Sequence, residues 1–415
     1  MQTPWDTIFA ARTQRITSSA IRELLKVTEQ PDFISFGGGL PAPEAFPIAE
    51  VAEAAQRILR EQGTQALQYG ATEGYRPLRE WVAAQMTSEG VPTHIENVLI
   101  TTGSQQAIDL IGKVLLDEDD SVLVESPTYL AALQAWSVYG ARYLEAPADE
   151  RGMRTGALKK LLAQRPKLIY CLPNFQNPGG VTLSLARRRQ LIEQAARYGT
   201  PILEDDPYRE LRFEGAALPR LITLESARQE QHTAPYNGNV IYASTFSKVL
   251  APGLRVGSIV AAPALIHKLV QAKQSTDLHT PTFNQMLVYE LAKTGFLKRH
   301  AKVIAKMYRE RRDIMLAAMQ EHFPEGVRWT HPQGGMFLWV TLPEGMDAGE
   351  LLKTAIAQKV AFVPGAPFHP NGGGANTLRL NFSNATPEQI HTGIARLGLA
   401  ISEQLGTHSK ALAFA

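Results

Sequence analysis

Tyr242-Ala243-Ser244-Thr245-Phe246-Ser247-Lys248-Val249-Leu250-Ala251-Pro252-Gly253-Leu254-Arg255-Val256-Gly257 is the stretch on which the fold turns. It continues an apolar run, Asn239 to Ala243, that reads as a buried strand. Lys248 therefore sits just past a strand end. Hydroxyls precede it at Thr245 and Ser247, and Arg255 follows after a Pro-Gly break. A lysine in this setting suits a Schiff-base aldehyde that also carries a phosphate: the amine forms the imine, and the hydroxyls and arginine bind the dianion. A short S/T-x-S-K string by itself reads more readily as a surface lysine in a polar turn, so the neighbouring stretches decide.

Outward from this point, residues 95 to 262 alternate short apolar strands with helical patterns. Seven strands are predicted: Val98 to Thr101, Ser121 to Glu125, Arg142 to Leu144, Leu168 to Leu172, Ile202 to Glu204, Val240 to Ala243 and Ser258 to Ala261. Helices are predicted over 105–116, 129–139, 185–198 and 264–273. The alternation specifies an α/β domain with a mostly parallel seven-stranded sheet. Ligands of such sheets sit beyond the carboxyl ends of the strands. Residues 283–322 read as strongly helical and link to a smaller α+β domain, with strands at 328–343, 361–363 and 377–382 and helices at 347–358 and 387–405. The expected division is 1–45 (an arm and a helix over 17–29, joined to the small domain), 46–300 (the large domain) and 301–415 (the small domain). The 17–29 helix is framed by Thr17, Ser18 and Ser19 as N-caps and by Pro31.

The chain has 415 residues, 44% of them hydrophobic and 20% charged, with a net charge of +2. That length suits two domains. Mixed charges of both signs give no reason to expect nucleic acid or a membrane surface as partner. The longest apolar runs, such as Ile259 to Ile266, are too short to span a bilayer. Asp6, Arg12 and Arg15 leave no apolar signal region near the start. Cys171 is alone, which rules out an intramolecular disulfide or a cysteine-based metal site and fits a reducing cytoplasm; no metal ligands are expected.

Five further strings fall at predicted strand ends or in the last sheet. Thr101-Thr102-Gly103-Ser104-Gln105-Gln106 leaves a strand and opens a helix, where backbone N–H groups and Ser104 can hold an anion. Glu125-Ser126-Pro127-Thr128-Tyr129 offers Tyr129 to stack on a planar ring. Leu172-Pro173-Asn174-Phe175-Gln176-Asn177-Pro178-Gly179-Gly180 offers Asn177 as a donor to a phenolate-like oxygen. In Pro201-Ile202-Leu203-Glu204-Asp205-Asp206-Pro207-Tyr208, a carboxylate at a buried strand end requires a cation, and a pyridinium N–H is one. Strand alternation sends Glu204 and Asp206 to the face opposite Asp205, as solvated or helix-capping acids. Thr377-Leu378-Arg379-Leu380-Asn381-Phe382 places an arginine in an apolar strand, where it needs a buried anion or an edge position; a carboxylate is what its fork holds best.

Taken together, these strings resemble the fold-type I pyridoxal-phosphate aminotransferases of class I/II across nearly the whole chain. The ordered set is G-S-Q-Q, S-P-T-Y, F-Q-N-P-x-G, E-D-D-x-Y-R-E, T-F-S-K-V-L-A-P-G-L-R-V-G and L-R-L. Ile21-Arg22-Glu23-Leu24-Leu25, Phe36 to Pro43, Leu67-Gln68-Tyr69-Gly70 and Leu278-His279-Thr280-Pro281 look like the 2-aminoadipate branch, which includes kynurenine/aminoadipate enzymes. Thr245 stands where serine is usual, and Gly179-Gly180 where Thr-Gly is usual.

The resemblance implies a homodimer with shared active sites that uses pyridoxal 5′-phosphate, and the lone cysteine suits a cytoplasmic location. Lys248 would form the imine with the cofactor and then move the substrate Cα proton, which requires a depressed amine pKa. Asp205 would keep the ring nitrogen protonated. Asn177 and Tyr208 would bind the ring hydroxyl oxygen, and Tyr129 would stack on the ring. Ser104, Gln105, Thr245, Ser247 and Arg255 would hold the phosphate, with Tyr69 reaching the site of the neighbouring subunit. Arg379, with Asn177 and the backbone near Gly39, would hold the substrate α-carboxylate, and Arg22 an acidic side chain. The implied reaction exchanges an amino group between an L-amino acid and a 2-oxo acid, 2-aminoadipate/2-oxoglutarate foremost, in lysine biosynthesis. Aromatic, branched-chain or kynurenine donors, a PLP lyase, and a ligand-sensing domain of the same fold are alternatives.

Overall fold

The structure, a computed structural model, describes residues 3–16, 32–228 and 235–413, with side chains of the last helix followed to residue 406. The helix expected over 17–29, and Arg22 with it, lies outside the described residues.

The seven predicted strands all form and lie in one sheet. Its order is Val98–Thr101, Gly257–Val260, Val240–Thr245, Ile202–Asp205, Leu168–Cys171, Ser121–Ser126, Arg142–Asp149 and then Gly152–Met153. The last is an eighth strand that the sequence reading missed: two residues that turn back antiparallel on Arg142–Asp149. Gly257–Val260 is antiparallel to both its neighbours, and the pairings among the other predicted strands are parallel.

Alternation along these strands feeds two cores. Leu99, Val124, Tyr170, Leu203, Ala243 and Ile259 face one; Ile100, Leu123, Cys171, Ile202, Tyr242 and Val260 face the other. Both faces are covered by helices, as a mostly parallel sheet requires. Each fully buried aliphatic side chain contributes roughly 1.5–3 kcal/mol, so a one-residue slip of register is strongly disfavoured.

Helices Ser104–Leu115, Leu130–Ser137, Leu185–Tyr198 and Pro263–Gln274 form close to their expected limits. Helix Arg76–Ser88 was not expected, although its buried Leu78, Val82, Ala83 and Met86 make a legible stripe. The helical span 283–322 is two helices, Thr282–Lys293 and Phe296–His322, broken at Gly295 in the left-handed region. Likewise, 328–343 is two antiparallel strands, Arg328–Trp329 and Phe337–Thr341, around a Pro-Gly loop.

The second sheet has the order Arg328–Trp329, Phe337–Thr341, Thr377–Asn381, Val363–Pro364. Helix Ala348–Ala357 is capped by the Asp347 carboxylate, which accepts from the Gly349 and Glu350 N–H groups. Ile34–Ser35 pairs in parallel with Val360–Ala361. That pairing brings the Gly-rich segment 37–39 against strand Thr377–Asn381, where the Asn381 N–H donates to the Phe36 carbonyl.

Candidate active site

Asp205 is the last residue of strand Ile202–Asp205, on the same sheet face as Leu203 and, one strand over, Tyr170. The Tyr170 hydroxyl donates to its Oδ2 at 2.9 Å. Its Oδ1 is buried and has no partner. Burial pushes the carboxyl up to about 7, against the pull of the Tyr170 hydrogen bond, with the neighbouring Asp206 charge adding to the rise. A half-satisfied buried carboxylate of this kind is costly unless a cationic or N–H donor meets it.

The flanking acids point to the other face, as alternation requires, but neither is solvated. Glu204 accepts from the Leu221 and Ile222 N–H groups and so caps helix Leu221–Ser226. Asp206 accepts from Asn174 Nδ2 at 2.7 Å and lies near Tyr242 and Arg220. The buried Arg188 donates to the Pro173 carbonyl and to Asn174 Oδ1. Together, Asp206 and Arg188 anchor the start of the loop that carries Asn177. Sequence reasoning missed Arg188 and Tyr170: Tyr170 acts across neighbouring strands, and Arg188 reaches the loop from helix Leu185–Tyr198, so only the tertiary arrangement places them.

Lys248 follows strand Val240–Thr245, and its Nζ donates to the Gly39 carbonyl at 2.9 Å. Desolvation, then the charges of Arg379 and Arg255, push the ammonium down to about 8. An amine that titrates there is both a nucleophile and a proton carrier near neutral pH.

Arg379 is central in its sheet, paired on both sides, which removes the edge-strand reading. It is 1% exposed. Its Nη1 donates to Asn177 Oδ1 at 2.8 Å and its Nη2 to the Gly37 carbonyl at 2.7 Å, while Nε has no partner. The guanidinium carbon lies 4.3 Å from the Phe337 ring centre and 5.2 Å from that of Phe368. Burial lowers it to about 10. A buried fork with spare donors and no carboxylate partner is built for a bound one.

Tyr129 and Tyr208 close the cluster. Burial and the Asp205 charge push Tyr129 up to about 12, against Arg379 and Arg255. Tyr208 is raised by burial and hydrogen-bonds Asn177. Its ring meets Phe337 edge-on with centroids 5.9 Å apart.

A second pole lies where helix Ser104–Leu115 begins. Gly103 is its N-cap and makes no side-chain cap, so the first-turn N–H groups are open to an anion. Ser104 is the first helical residue rather than the cap. The Gln105 amide is tied to the Ala131 carbonyl, which leaves its backbone N–H as the group on offer. Arg255 donates to the Thr102 carbonyl, and a Cβ on Gly103 would stand 2.6 Å from Arg255 Nη2. Only glycine, here with φ +79°, lets the guanidinium lie this close to the turn. The Thr245 hydroxyl donates to Ser247 Oγ at 2.9 Å. Tyr69 stands apart from both poles: it is 78% exposed and packs edge-on against His279.

Residues 31–397 match the family model for aminotransferase class I and II. The chain is 51% identical to a 2-aminoadipate transaminase of Thermus thermophilus over 96% of its length and 97% of that protein. It is 43% identical to aromatic-amino-acid aminotransferase 1 of Thermococcus litoralis, covering 97% of this chain and 95% of that one. Among solved structures it is similar to an α-aminoadipate aminotransferase of Thermus thermophilus complexed with N-(5′-phosphopyridoxyl)-L-leucine. There the TM-score is 0.90 and the identity 48%, covering 97% of this chain and 99% of that one. An amine, a buried half-satisfied carboxylate, a carboxylate-ready arginine and an anion-ready helix end are thus assembled on a scaffold that these proteins share nearly end to end, and the chain belongs to the class I and II aminotransferases.

Proposed function

We propose that this chain exchanges the amino group between 2-aminoadipate and 2-oxoglutarate, with tolerance for other side chains, using pyridoxal 5′-phosphate. The observation that carries the cofactor is the buried Asp205 Oδ1, which lacks a donor. A pyridinium N–H supplies one, and the turn 102–105 with Arg255, Thr245 and Ser247 suits the phosphate. When bound, this cofactor supplies an aldehyde that condenses with amino groups and a protonated ring that accepts electrons from the substrate Cα.

The chain's own groups do the rest. Asp205 holds a proton on the ring nitrogen. Tyr208 and Asn177 would hold the ring oxygen, and Tyr129 would pack on the ring. Lys248, its ammonium pushed down to about 8 by burial and nearby arginines, takes the Cα proton and returns it. Arg379 fixes the α-carboxylate, with Asn177 and the backbone near Gly39 beside it, and so sets which Cα bond faces the lysine.

The acidic preference follows the 2-aminoadipate transaminase relative and Arg22, which lies outside the described residues. We further propose a homodimer in the cytoplasm. Exposed Trp5, Ile8, Phe9, Leu67 and Tyr69 support an apolar surface for a second copy, with Tyr69 reaching the partner's phosphate. The division at 46–300 and 301–415 rests on each part having its own sheet. Among the described residues no helix is long and apolar enough to cross a membrane.

The test is an absorbance spectrum of cofactor-loaded protein before and after L-2-aminoadipate. We expect conversion of the aldehyde form to the amine form, with 2-oxoadipate released. Conversion by leucine or phenylalanine but not by aminoadipate would move the assignment to apolar donors. Arg22→Ala should lower kcat/KM for aminoadipate more than for leucine; equal losses would remove Arg22 from specificity.

A further inference from the structure

Helix Phe296–His322 ends with two adjacent side chains, Glu321 and His322, directed at His391 in helix Pro387–Ala413. The Glu321 carboxylate lies 3.8 Å from His322 Nε2 through one oxygen and 3.9 Å from His391 Nε2 through the other. All three donor atoms fall within 4.8 Å of one another. The two imidazoles meet edge to face, with centroids 5.3 Å apart. None of the three takes part in the active site, and the sequence predicted no metal ligands. The donors come from two helices far apart in the chain, so no motif spacing announces them.

Three features make this more than a surface cluster. His322 Nε2 is shut off from solvent and has no hydrogen-bond partner, so a ring nitrogen is left without the contact that burial calls for. The helix backbones are pressed together at this point: a Cβ on Gly398 would lie 2.3 Å from the His322 carbonyl oxygen. That contact fixes the rear of His322 while Glu321 and His391 stay 64% and 58% exposed and free to adjust. Finally, His322 occupies the last turn of its helix, where the carbonyl ends favour positive charge.

We propose that Glu321, His322 and His391 form a binding site for zinc or a zinc-like divalent transition cation. Two imidazoles and one carboxylate are a borderline nitrogen-rich donor set, which suits zinc, cobalt or nickel and not magnesium or calcium. Around zinc at about 2.0–2.2 Å, tetrahedral donors stand roughly 3.3–3.5 Å apart. The observed separations need each donor to close by less than about 1 Å, within the reach of exposed side-chain torsions. Three protein ligands leave a fourth position for water. The bound cation ties the end of one long helix to the start of the other, so it stabilises the C-terminal part without touching the transamination chemistry.

The experiment uses the full-length, tag-free, cofactor-loaded protein after dialysis against a chelator. It is titrated with zinc by calorimetry and with cobalt by visible absorption. We expect one zinc per chain, a four-coordinate cobalt spectrum that zinc abolishes, and a rise in Tm on adding zinc. His391→Ala and Glu321→Gln, both at exposed positions, should each weaken zinc by about 10-fold or more and cancel the Tm rise. His267→Ala, at a surface histidine elsewhere, should change neither. Wild-type protein that takes up no zinc overturns the proposal, and so does zinc binding that survives His391→Ala at full strength. Transaminase activity without added metal should be the same in wild type and His391→Ala; a loss there would mean that the cluster serves the reaction instead.

Discussion

Lys273 and Asp277 form an ion pair at the end of helix Pro263–Gln274, with Nζ 2.8 and 2.9 Å from the two carboxylate oxygens and the lysine side chain fully buried. The pair continues into the anion-ready turn. Asp277 Oδ2 accepts from the Thr102 hydroxyl and from Gln106 Nε2. Gln106 Oε1 in turn accepts from Lys273 and from the Thr102 N–H, both at 2.8 Å. Thr102, whose carbonyl also takes Arg255, is therefore held from three sides before the helix begins.

Lys273→Met should accordingly loosen the phosphate end of the site. Breaking a buried pair on one side costs about 3 kcal/mol at the low end. The low end is apt because Asp277 is partly exposed. Denaturant unfolding should report that loss. Affinity for pyridoxal phosphate should fall further than affinity for pyridoxal, which lacks the phosphate. Equal losses for both would show that the pair supports the fold and not the turn.

For Lys248 the pH dependence follows from its surroundings. Its ammonium sits at about 8 in the folded chain against 10.5 for a free lysine. A base whose folded value is depressed favours its neutral form on folding, so stability from this group grows between about pH 8 and 10.5 and is absent below. In cofactor-free protein, acylation of Lys248 followed by peptide mass spectrometry should rise through a midpoint near 8. Arg379→Leu should shift that midpoint upward, because removing a like charge favours the ammonium. An unmoved midpoint would remove Arg379 as a cause.

Asp205 and its neighbour should part cleanly. Asp205→Asn should cut kcat/KM by about 10²–10³, the scale of losing one preorganised electrostatic partner, with no loss of Tm, since a buried, half-satisfied carboxylate disappears while the amide oxygen can still accept from Tyr170. Asp206→Asn should lower Tm by loosening the Asn174 and Arg220 contacts, yet keep most activity while folded. The reverse pattern in steady-state assays would mean that the other carboxylate faces the reaction.

At Arg379, lysine is no conservative change. A single ammonium cannot hold Asn177, Gly37 and an incoming carboxylate together. Arg379→Lys should raise KM for amino acids by about 10- to 100-fold, the loss of one charge-assisted hydrogen bond, and lower kcat less. A KM within twofold of wild type would move carboxylate recognition elsewhere.

The sequence by itself determined the sheet and the chemical residue types. Seven strands were legible because each is an apolar run bounded by polar turns, and the face of Asp205 was legible because side chains alternate. What it could not supply was contact between distant segments. Tyr170 beneath Asp205 depends on which strands are neighbours; Arg188 on how a helix packs behind the Asn177 loop; and the Lys273–Asp277 support on how helix Pro263–Gln274 packs against the start of helix Ser104–Leu115. The break at Gly295 escaped because a helical stripe continues on both sides of it. Glu204 and Asp206 were placed on the correct face, but whether acids there meet water or buried donors is settled by the helices laid over that face. Local patterning dictates which way a side chain points; only the tertiary packing decides what it meets, because burial, partner and field at each group come from segments far away in the chain.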